Sequence, residues 1–309
     1  MIRVFRGRHF LDLADFSGKE ILSLLEVASD LKKRWFLGDR PKILEGKTVA
    51  LLFEKPSLRT RVSFEVAIRQ LGGESFYLGP QEVGLGKREA VKDVALVLGR
   101  MVDGIVVRTF AHEIVLDMAR YAGVPVINGL SDLHHPCQVL GDLLTLQEKK
   151  GTLGVKIVFV GDGNNVCHSW IVAAARLGLS LTVCTPERYR PLEAIWNWAQ
   201  EEAKKSGARI SYEPNPQKAV QGAEVVYTDV WASMGKEHEI EERMSVFLPY
   251  QVNLDLVALA SPTTIVMHCM PAHRGQEITD DVIDGEHSVV IDEAENRLHA
   301  QKAVLGLLL

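Results

Sequence analysis

The sequence predicts an α/β protein of two domains, each a mostly parallel sheet with helices on both faces, and a C-terminal helix packing back on the first domain. Three observations predict it. At 309 residues and 47% apolar, the chain is long enough for two cores, because single cores stop growing at about 250–300 residues. Short apolar runs alternate with stretches of helical period, the pattern of a sheet built from strand–helix–strand crossovers. The alternation pauses at Gly151-Thr152-Leu153-Gly154 and restarts. That pause divides the chain into domains at 1–150 and 151–291, with 292–309 returning to the first.

The elements follow in order. Ser17 and Glu20 form a capping box, and Ile21, Leu24, Leu25, Ala28 and Leu31 recur behind it at helical spacing, so an amphipathic helix starts there. Residues 47–53 read as a buried strand, 57–71 as a helix stopped by Gly72 and Gly73, and 75–78 as a second strand. A helix is expected over 89–101, a strand at 104–108, a helix over 112–122 and a strand at 124–127. A polar-capped helix from about 135 to 150 reaches the boundary. Beyond it, strands are expected at 155–160, 181–184, 209–212, 224–227 and 264–268, separated by helical segments, and a helix closes the chain over 293–309.

Composition excludes several classes of function. A net charge of -5 and a pI near 6.1 give none of the concentrated positive field that nucleic acid or anionic lipid requires. The most apolar window, 170–184, is interrupted by Arg176, so no membrane span of about 18 residues is expected. Arg3, Arg6, Arg8, Asp12 and Asp15 break up the start of the chain, which leaves no secretory segment and points to the cytoplasm. Four cysteines without a CxxC pair indicate reduced thiols rather than disulfides or structural zinc.

Five polar groups stand at or just after the predicted carboxyl ends of strands, where doubly wound sheets bind ligands. Ser57-Leu58-Arg59-Thr60-Arg61 opens a helix, and the unpaired N–H groups and positive dipole end there suit a phosphate; a plain helix cap would use the same Ser57. His134-His135-Pro136-Cys137-Gln138 offers imidazole and carboxamide donors for a carbonyl oxygen, or a merely structural helix start. Its adjacent spacing is poor for a metal. Gly161-Asp162-Gly163-Asn164-Asn165 resembles a dinucleotide-binding turn, but Val166 stands where GxGxxG needs glycine. A nicotinamide dehydrogenase is therefore weakly supported, while Asn164 or Asn165 can hydrogen-bond a small substrate. Asp229-Val230-Trp231-Ala232-Ser233-Met234-Gly235 places a carboxylate able to hold an ammonium group, or an ordinary capping aspartate. In His268-Cys269-Met270-Pro271 the alternation of an extended strand points His268 away from Cys269, which argues against a cysteine nucleophile. Arg297 lies in Asp292-Glu293-Ala294-Glu295-Asn296-Arg297 at the start of the last helix.

The order SLRTR, HHPCQ, DVWASMG, HCMP resembles that of the transcarbamoylases, and DVWASMG is similar to the loop of the ornithine-specific branch. The contexts FEKPSLRTR, LGRMVDGIVVR and DEAENRLHA extend the likeness over almost the whole chain. The resemblance implies transfer of a carbamoyl group from carbamoyl phosphate to the side-chain amine of ornithine, in arginine biosynthesis, without metal or organic cofactor. It implies that Ser57, Leu58, Arg59, Thr60, Arg108, His135, Gln138, Cys269, Met270 and Arg297 bind carbamoyl phosphate, and that Asn165, Asp229, Ser233 and Met234 hold ornithine. Arg108, His135, Asp229, Cys269 and Arg297 would be catalytic, with a cis Met270-Pro271 bond. A homotrimer with active sites at subunit interfaces is implied too. The sequence departs from the family at Gly84, where a polar residue is usual, so Lys87 is expected to compensate for a lost phosphate contact. A silent regulatory protein binding a phosphorylated metabolite, and sister enzymes acting on aspartate, acetylated ornithine or putrescine, are the rival readings.

Overall fold

The computed structural model describes residues 4–86, 88–232 and 240–309. These form two compact units: residues up to Leu144 with Glu295–Leu309, and Thr145–Ala294. The second is inserted in the first, so the chain passes between them twice. Among the described residues no helix is long and apolar enough to cross a membrane.

In the first unit, α1 (Gly18–Phe36) starts on Ser17, which accepts from Glu20 N–H while Glu20 accepts from Ser17 N–H. Its buried stripe is the one read from the sequence. There follow β1 (Thr48–Phe53), α2 (Leu58–Gln70), β2 (Glu74–Leu78), α3 (Pro80–Val83), α4 (Val91–Leu98), β3 (Gly104–Arg108), α5 (His112–Ala122), β4 (Val126–Leu130) and α6 (Pro136–Lys150). The sheet is wholly parallel in the order β2-β1-β3-β4. Leaving β1 the chain steps one way to β2, then returns past β1 to β3. Right-handed crossovers that reverse direction put their helices on opposite faces. Accordingly α4 and α5 pack together, and their Val94, Ala95, Val115 and Met118 share one core with Ala50, Leu52, Ile105 and Val107. Leu51 and Val106 alternate to the other face.

Two boundaries differ from expectation for local reasons. A Cβ on Gly99 would lie 1.6 Å from the Ala122 carbonyl oxygen, and this close approach to the end of α5 coincides with the stop of α4 three residues short of 101. The strand expected at 124–127 runs later: the ladder bulges between Val107 and Arg108, so Arg108 pairs with Leu130 and pairing extends past Ile127.

The second unit contains β5 (Lys156–Val160), α7 (Asn165–Leu177), β6 (Ser180–Cys184), α8 (Glu193–Ser206), β7 (Arg209–Tyr212), α9 (Pro216–Ala219), β8 (Val225–Thr228), α10 (Ile240–Phe247), α11 (Leu254–Val257), β9 (Ile265–His268) and α12 (Asp280–Ile283). The last helix, α13 (Val290–Leu308), begins here, three residues before the expected 293, and ends in the first unit. The parallel order is β7-β6-β5-β8-β9, so direction again reverses at the first strand. α7 and α8 pack on each other, with Trp170 against Tyr227 at 5.4 Å between ring centroids. α9, α10 and α11 contribute Ala219, Phe247 and Leu256 to a core with Val158, Val160 and Val226. Each sheet therefore has a switch point, between β1 and β3 and between β5 and β8, where open parallel sheets bind ligands beyond the strand ends.

Candidate active site

At the first switch point the sequence delivers polar groups from three elements. Ser57 caps α2, its hydroxyl accepting from Thr60 N–H at 3.2 Å, so the first turn of the helix is fixed beyond β1. Arg108 ends β3 immediately after the bulge. Thr60 Oγ1 accepts from Arg108 Nη1 at 3.2 Å and from Arg297 Nη2 of α13 at 2.8 Å. Two guanidiniums, 6% and 3% exposed, thus converge on one neutral hydroxyl, a concentration of buried positive charge that favours an anion. Gly129 borders it, 3.7 Å from Thr60 Cγ2 by its would-be Cβ.

α6 begins beside these cations. Gly141 packs on the Arg297 backbone, where a Cβ would come to 3.1 Å. His135 is buried, and its pKa is pushed well below 6.5, first by burial and then by Arg297 and Arg108; it is a neutral imidazole at physiological pH. The buried Cys137 thiol is pushed up to about 12 by burial, against the pull of Arg297, so it stays protonated. Gln138 Nε2 donates to Asp142 Oδ1 at 2.8 Å. His134 has a different partner, Asp12, at 3.3 Å. Of the remaining predicted residues, Leu58 is 73% exposed and Arg59 half-buried. Sequence reasoning passed over Glu54 and Lys55. The Glu54 carboxylate accepts from the Thr109 hydroxyl and its N–H donates to the Arg108 carbonyl, tying the ends of β1 and β3. Lys55 Nζ stands 4.0 Å from the centroid of the Phe110 ring.

At the second switch point the organising group is Asp229, 5% exposed, one residue past β8. Its Oδ2 accepts from Asn164 Nδ2 at 2.6 Å, and its Oδ1 from Cys269 Sγ at 2.9 Å and from Val230 N–H at 2.8 Å. Asn164 also caps α7, its Oδ1 accepting from the N–H groups of Val166 and Cys167. One side chain therefore starts the helix and orients the carboxylate. Asn165, one residue on, is half-buried in the first turn. Gly163 cannot carry a side chain, because a Cβ would sit 2.4 Å from Pro191 N. Arg243 of α10 joins the two loops, donating to Asp162 Oδ2 at 2.9 Å and to the Trp231 carbonyl at 2.6 Å. Ser233 and Met234 lie outside the described residues, as does Lys87; Gly84 caps α3 with φ 55°.

The strand-based expectation for His268 is corrected. β9 ends at His268, so alternation stops applying there: Met270 turns to φ 54°, and the Met270-Pro271 bond is cis. A ring nitrogen of His268, the Cys269 sulfur and an Asp229 oxygen lie within 4.8 Å of one another. That trio has ligand chemistry for a soft metal, but both ring nitrogens already have partners, Glu277 and Met270 N–H.

Comparison with known proteins bears on both clusters. Residues 8–148 match the family model described as aspartate/ornithine carbamoyltransferase, carbamoyl-P binding domain. Residues 153–308 match the aspartate/ornithine carbamoyltransferase, Asp/Orn binding domain. The chain is similar to an ornithine carbamoyltransferase of Pyrococcus abyssi, 55% identical over 100% of this chain and 98% of that protein. An anabolic ornithine carbamoyltransferase of Pyrococcus furiosus is 54% identical over the same shares. The solved structure of the ornithine carbamoyltransferase from Pyrococcus furiosus superposes with a TM-score of 0.96 at 54% identity, covering 98% of this chain and 97% of that one. That of the anabolic enzyme from Campylobacter jejuni gives 0.92 at 43% identity, over 96% and 97%.

Proposed function

The chain belongs to the aspartate/ornithine carbamoyltransferase family, and from that premise we propose that it transfers the carbamoyl group of carbamoyl phosphate to the side-chain amine of L-ornithine, giving L-citrulline and phosphate. The family premise leaves the amine acceptor open between aspartate and ornithine, and the observation that carries the choice is Asp229. A buried carboxylate held by Asn164 and Cys269 accepts hydrogen bonds and attracts a cation. It suits the amines of ornithine and would repel the carboxylates of aspartate.

In this reading residues 1–150 with 292–309 hold carbamoyl phosphate and 151–291 hold ornithine. Ser57, Leu58, Arg59 and Thr60 grip the phosphate at the start of α2, with Arg108, His135, Gln138, Cys269, Met270 and Arg297 around the rest of the molecule. As the uncharged amine attacks the carbonyl carbon, negative charge grows on the oxygen. Donors aimed in advance from Arg108, His135 and Thr60 stabilise it, each worth about 3–4 kcal/mol in comparable oxyanion sites. The neutral state of His135 supports a donor role rather than that of a general acid. Arg108 and Arg297 offset the charge of the departing phosphate, which can itself take the amine proton. Asn165, Asp229, Ser233 and Met234 place ornithine, and Cys269 assists at the amine.

The reading extends to a homotrimeric cytoplasmic enzyme of arginine biosynthesis, as the family likeness and the relatives named anabolic suggest. Leu58, Val62 and Met101 are exposed, apolar surface that a trimer would have available for subunit contacts, and light scattering gives the subunit number. The functional test is citrulline formation from carbamoyl phosphate, with ornithine, acetylated ornithine, putrescine and aspartate supplied in turn. Ornithine is expected to turn over fastest; equal rates with putrescine or aspartate would refute the assignment.

A further inference from the structure

Arg108 and His135, two of the donors assigned to the carbonyl oxygen, stand on different loops, and a clasp of polar contacts in the first unit joins those loops. Arg108 ends β3 and pairs with Leu130 of β4. Beyond the strands the pairing continues from loop to loop: Thr109 N–H donates to the Leu130 carbonyl at 3.0 Å, and Asp132 N–H to the Phe110 carbonyl at 2.8 Å. α5 then starts behind Ala111, whose methyl cannot cap a helix. The Asp132 carboxylate serves instead, accepting from His112 N–H at 3.0 Å.

Ser131, 0% exposed, is the hub of the clasp. Its N–H donates to the His134 carbonyl at 2.9 Å, and its Oγ accepts from His134 N–H at 3.2 Å, so residues 131 and 134 close on each other in a turn. His135 is the single residue between that turn and α6, and its carbonyl accepts from Gln138 N–H at 3.1 Å. The same Ser131 Oγ lies 2.8 Å from His112 Nδ1, 3.3 Å from the His134 carbonyl oxygen and 3.5 Å from Asn128 Nδ2. A hydroxyl has one proton and two lone pairs. With the His134 N–H and the Asn128 amide on the lone pairs, the proton remains to be given, and the ring is its nearer acceptor. Nδ1 of His112 is then bare and Nε2 carries the proton. That fits a ring held below its usual 6.5 by burial, against the pull of Asp132, Glu113 and Asp15.

We propose that Ser131 and His112 are positioning residues for the transfer: the Ser131 hydroxyl donates to the His112 ring, ties the 131–134 turn to the start of α5, and so fixes His135 relative to Arg108. The proposal rests on the reading above in assigning Arg108 and His135 to the carbonyl oxygen.

Two pairs of substitutions separate positioning from support of the fold. Ser131→Ala removes the hydroxyl and Ser131→Thr keeps it. His112→Leu removes the acceptor, whereas His112→Asn places an amide oxygen close to where Nδ1 stood. In Ser131→Ala and His112→Leu, kcat for citrulline formation is expected to fall about 10- to 100-fold, the usual effect of a misplaced group, with the KM for ornithine little changed. Ser131→Thr and His112→Asn should recover most of that loss. The effect should also disappear with its target: in a His135→Gln background, Ser131→Ala should lower kcat little further. A second readout needs no turnover and uses histidine labelled with carbon-13 and nitrogen-15. The His135 ring signal, identified by its loss in His135→Gln, should move in Ser131→Ala and stay in place in Ser131→Thr. Should the unaltered protein fail to make citrulline, the functional reading falls, and the ring signal alone decides the positioning role. Equal kcat within each pair, or an unmoved His135 signal in Ser131→Ala, overturns the proposal. If the alanine and leucine variants do not fold, the nitrogen-15 spectrum of the unaltered protein decides: a proton on His112 Nε2 supports it, and one on Nδ1 overturns it.

Discussion

Replacement of Asn164 separates two duties that one side chain performs. Asn164→Ala removes the cap on α7, about 1 kcal/mol. It also removes the hydrogen bond to a buried carboxylate, about 1.5–3 kcal/mol. The expected loss is roughly 2.5–4 kcal/mol, and for a unit of this size that lowers the melting midpoint by roughly 5–15 °C. Asn164→Asp keeps oxygen acceptors for Val166 and Cys167 N–H but sets a second carboxylate 2.6 Å from Asp229. Two carboxylates at that separation cannot both ionise, so the pair shares a proton and the negative charge offered to the amine is diluted. Calorimetry should therefore rank Asn164→Asp above Asn164→Ala in stability, whereas citrulline assays should show both losing kcat/KM for ornithine. Ornithine turnover at the native level in Asn164→Asp would refute the idea that this contact prepares Asp229.

Three other outcomes follow from the geometry. Thr60→Val keeps the shape but removes the acceptor shared by Arg108 and Arg297; steady-state kinetics should show kcat lower by about 10²–10³, the effect of losing an oxyanion contact. His135 and His299 are both held below their usual 6.5 mainly by burial, His299 down to about 3. As pH falls through 6.5 the unfolded chain takes up protons that the native state refuses, so stability is intact above 6.5 and declines toward acid by up to about 1.4 kcal/mol per pH unit for each histidine. Urea midpoints across that range should show the slope, and His299→Phe should flatten it. Arg243→Met removes the cation beside the buried Asp162 carboxylate, costing about 3–5 kcal/mol; denaturant midpoints should recover in part when Asp162→Asn is added.

The alternating strands and helices, and thus the two parallel sheets, were legible because each strand is a short apolar run closed by a turn or a cap. The start of α2 was legible for the same local reason: Ser57 has the cap's chemistry at the cap's place. What the sequence concealed depends on separation along the chain or on a register of one residue. Arg297 reaches Thr60 across 237 positions and Arg243 reaches Asp162 across 81, and no local pattern encodes either meeting. Asn164 and Asn165 are chemically identical neighbours. Only the place where α7 begins decides that Asn164 becomes the cap and turns its amide on Asp229, a contact that the choice of Asn165 as the ornithine ligand did not anticipate. His268 was misdirected because strand alternation was carried past the point where β9 ends.

The insertion of one unit within the other sets an order of assembly on the ribosome. The first unit needs Glu295–Leu309: until that segment emerges, Thr60 lacks Arg297, Gln70 lacks the Lys302 ammonium at 2.9 Å, and the surface at Gly104 lacks Leu309. About 150 residues of the second unit are made in between, roughly 8–30 s of translation at 5–20 residues per second. The later-made unit can thus reach its native state first, while the earlier one waits with sticky surface uncovered, and it is over that interval that a nascent chain most needs a chaperone.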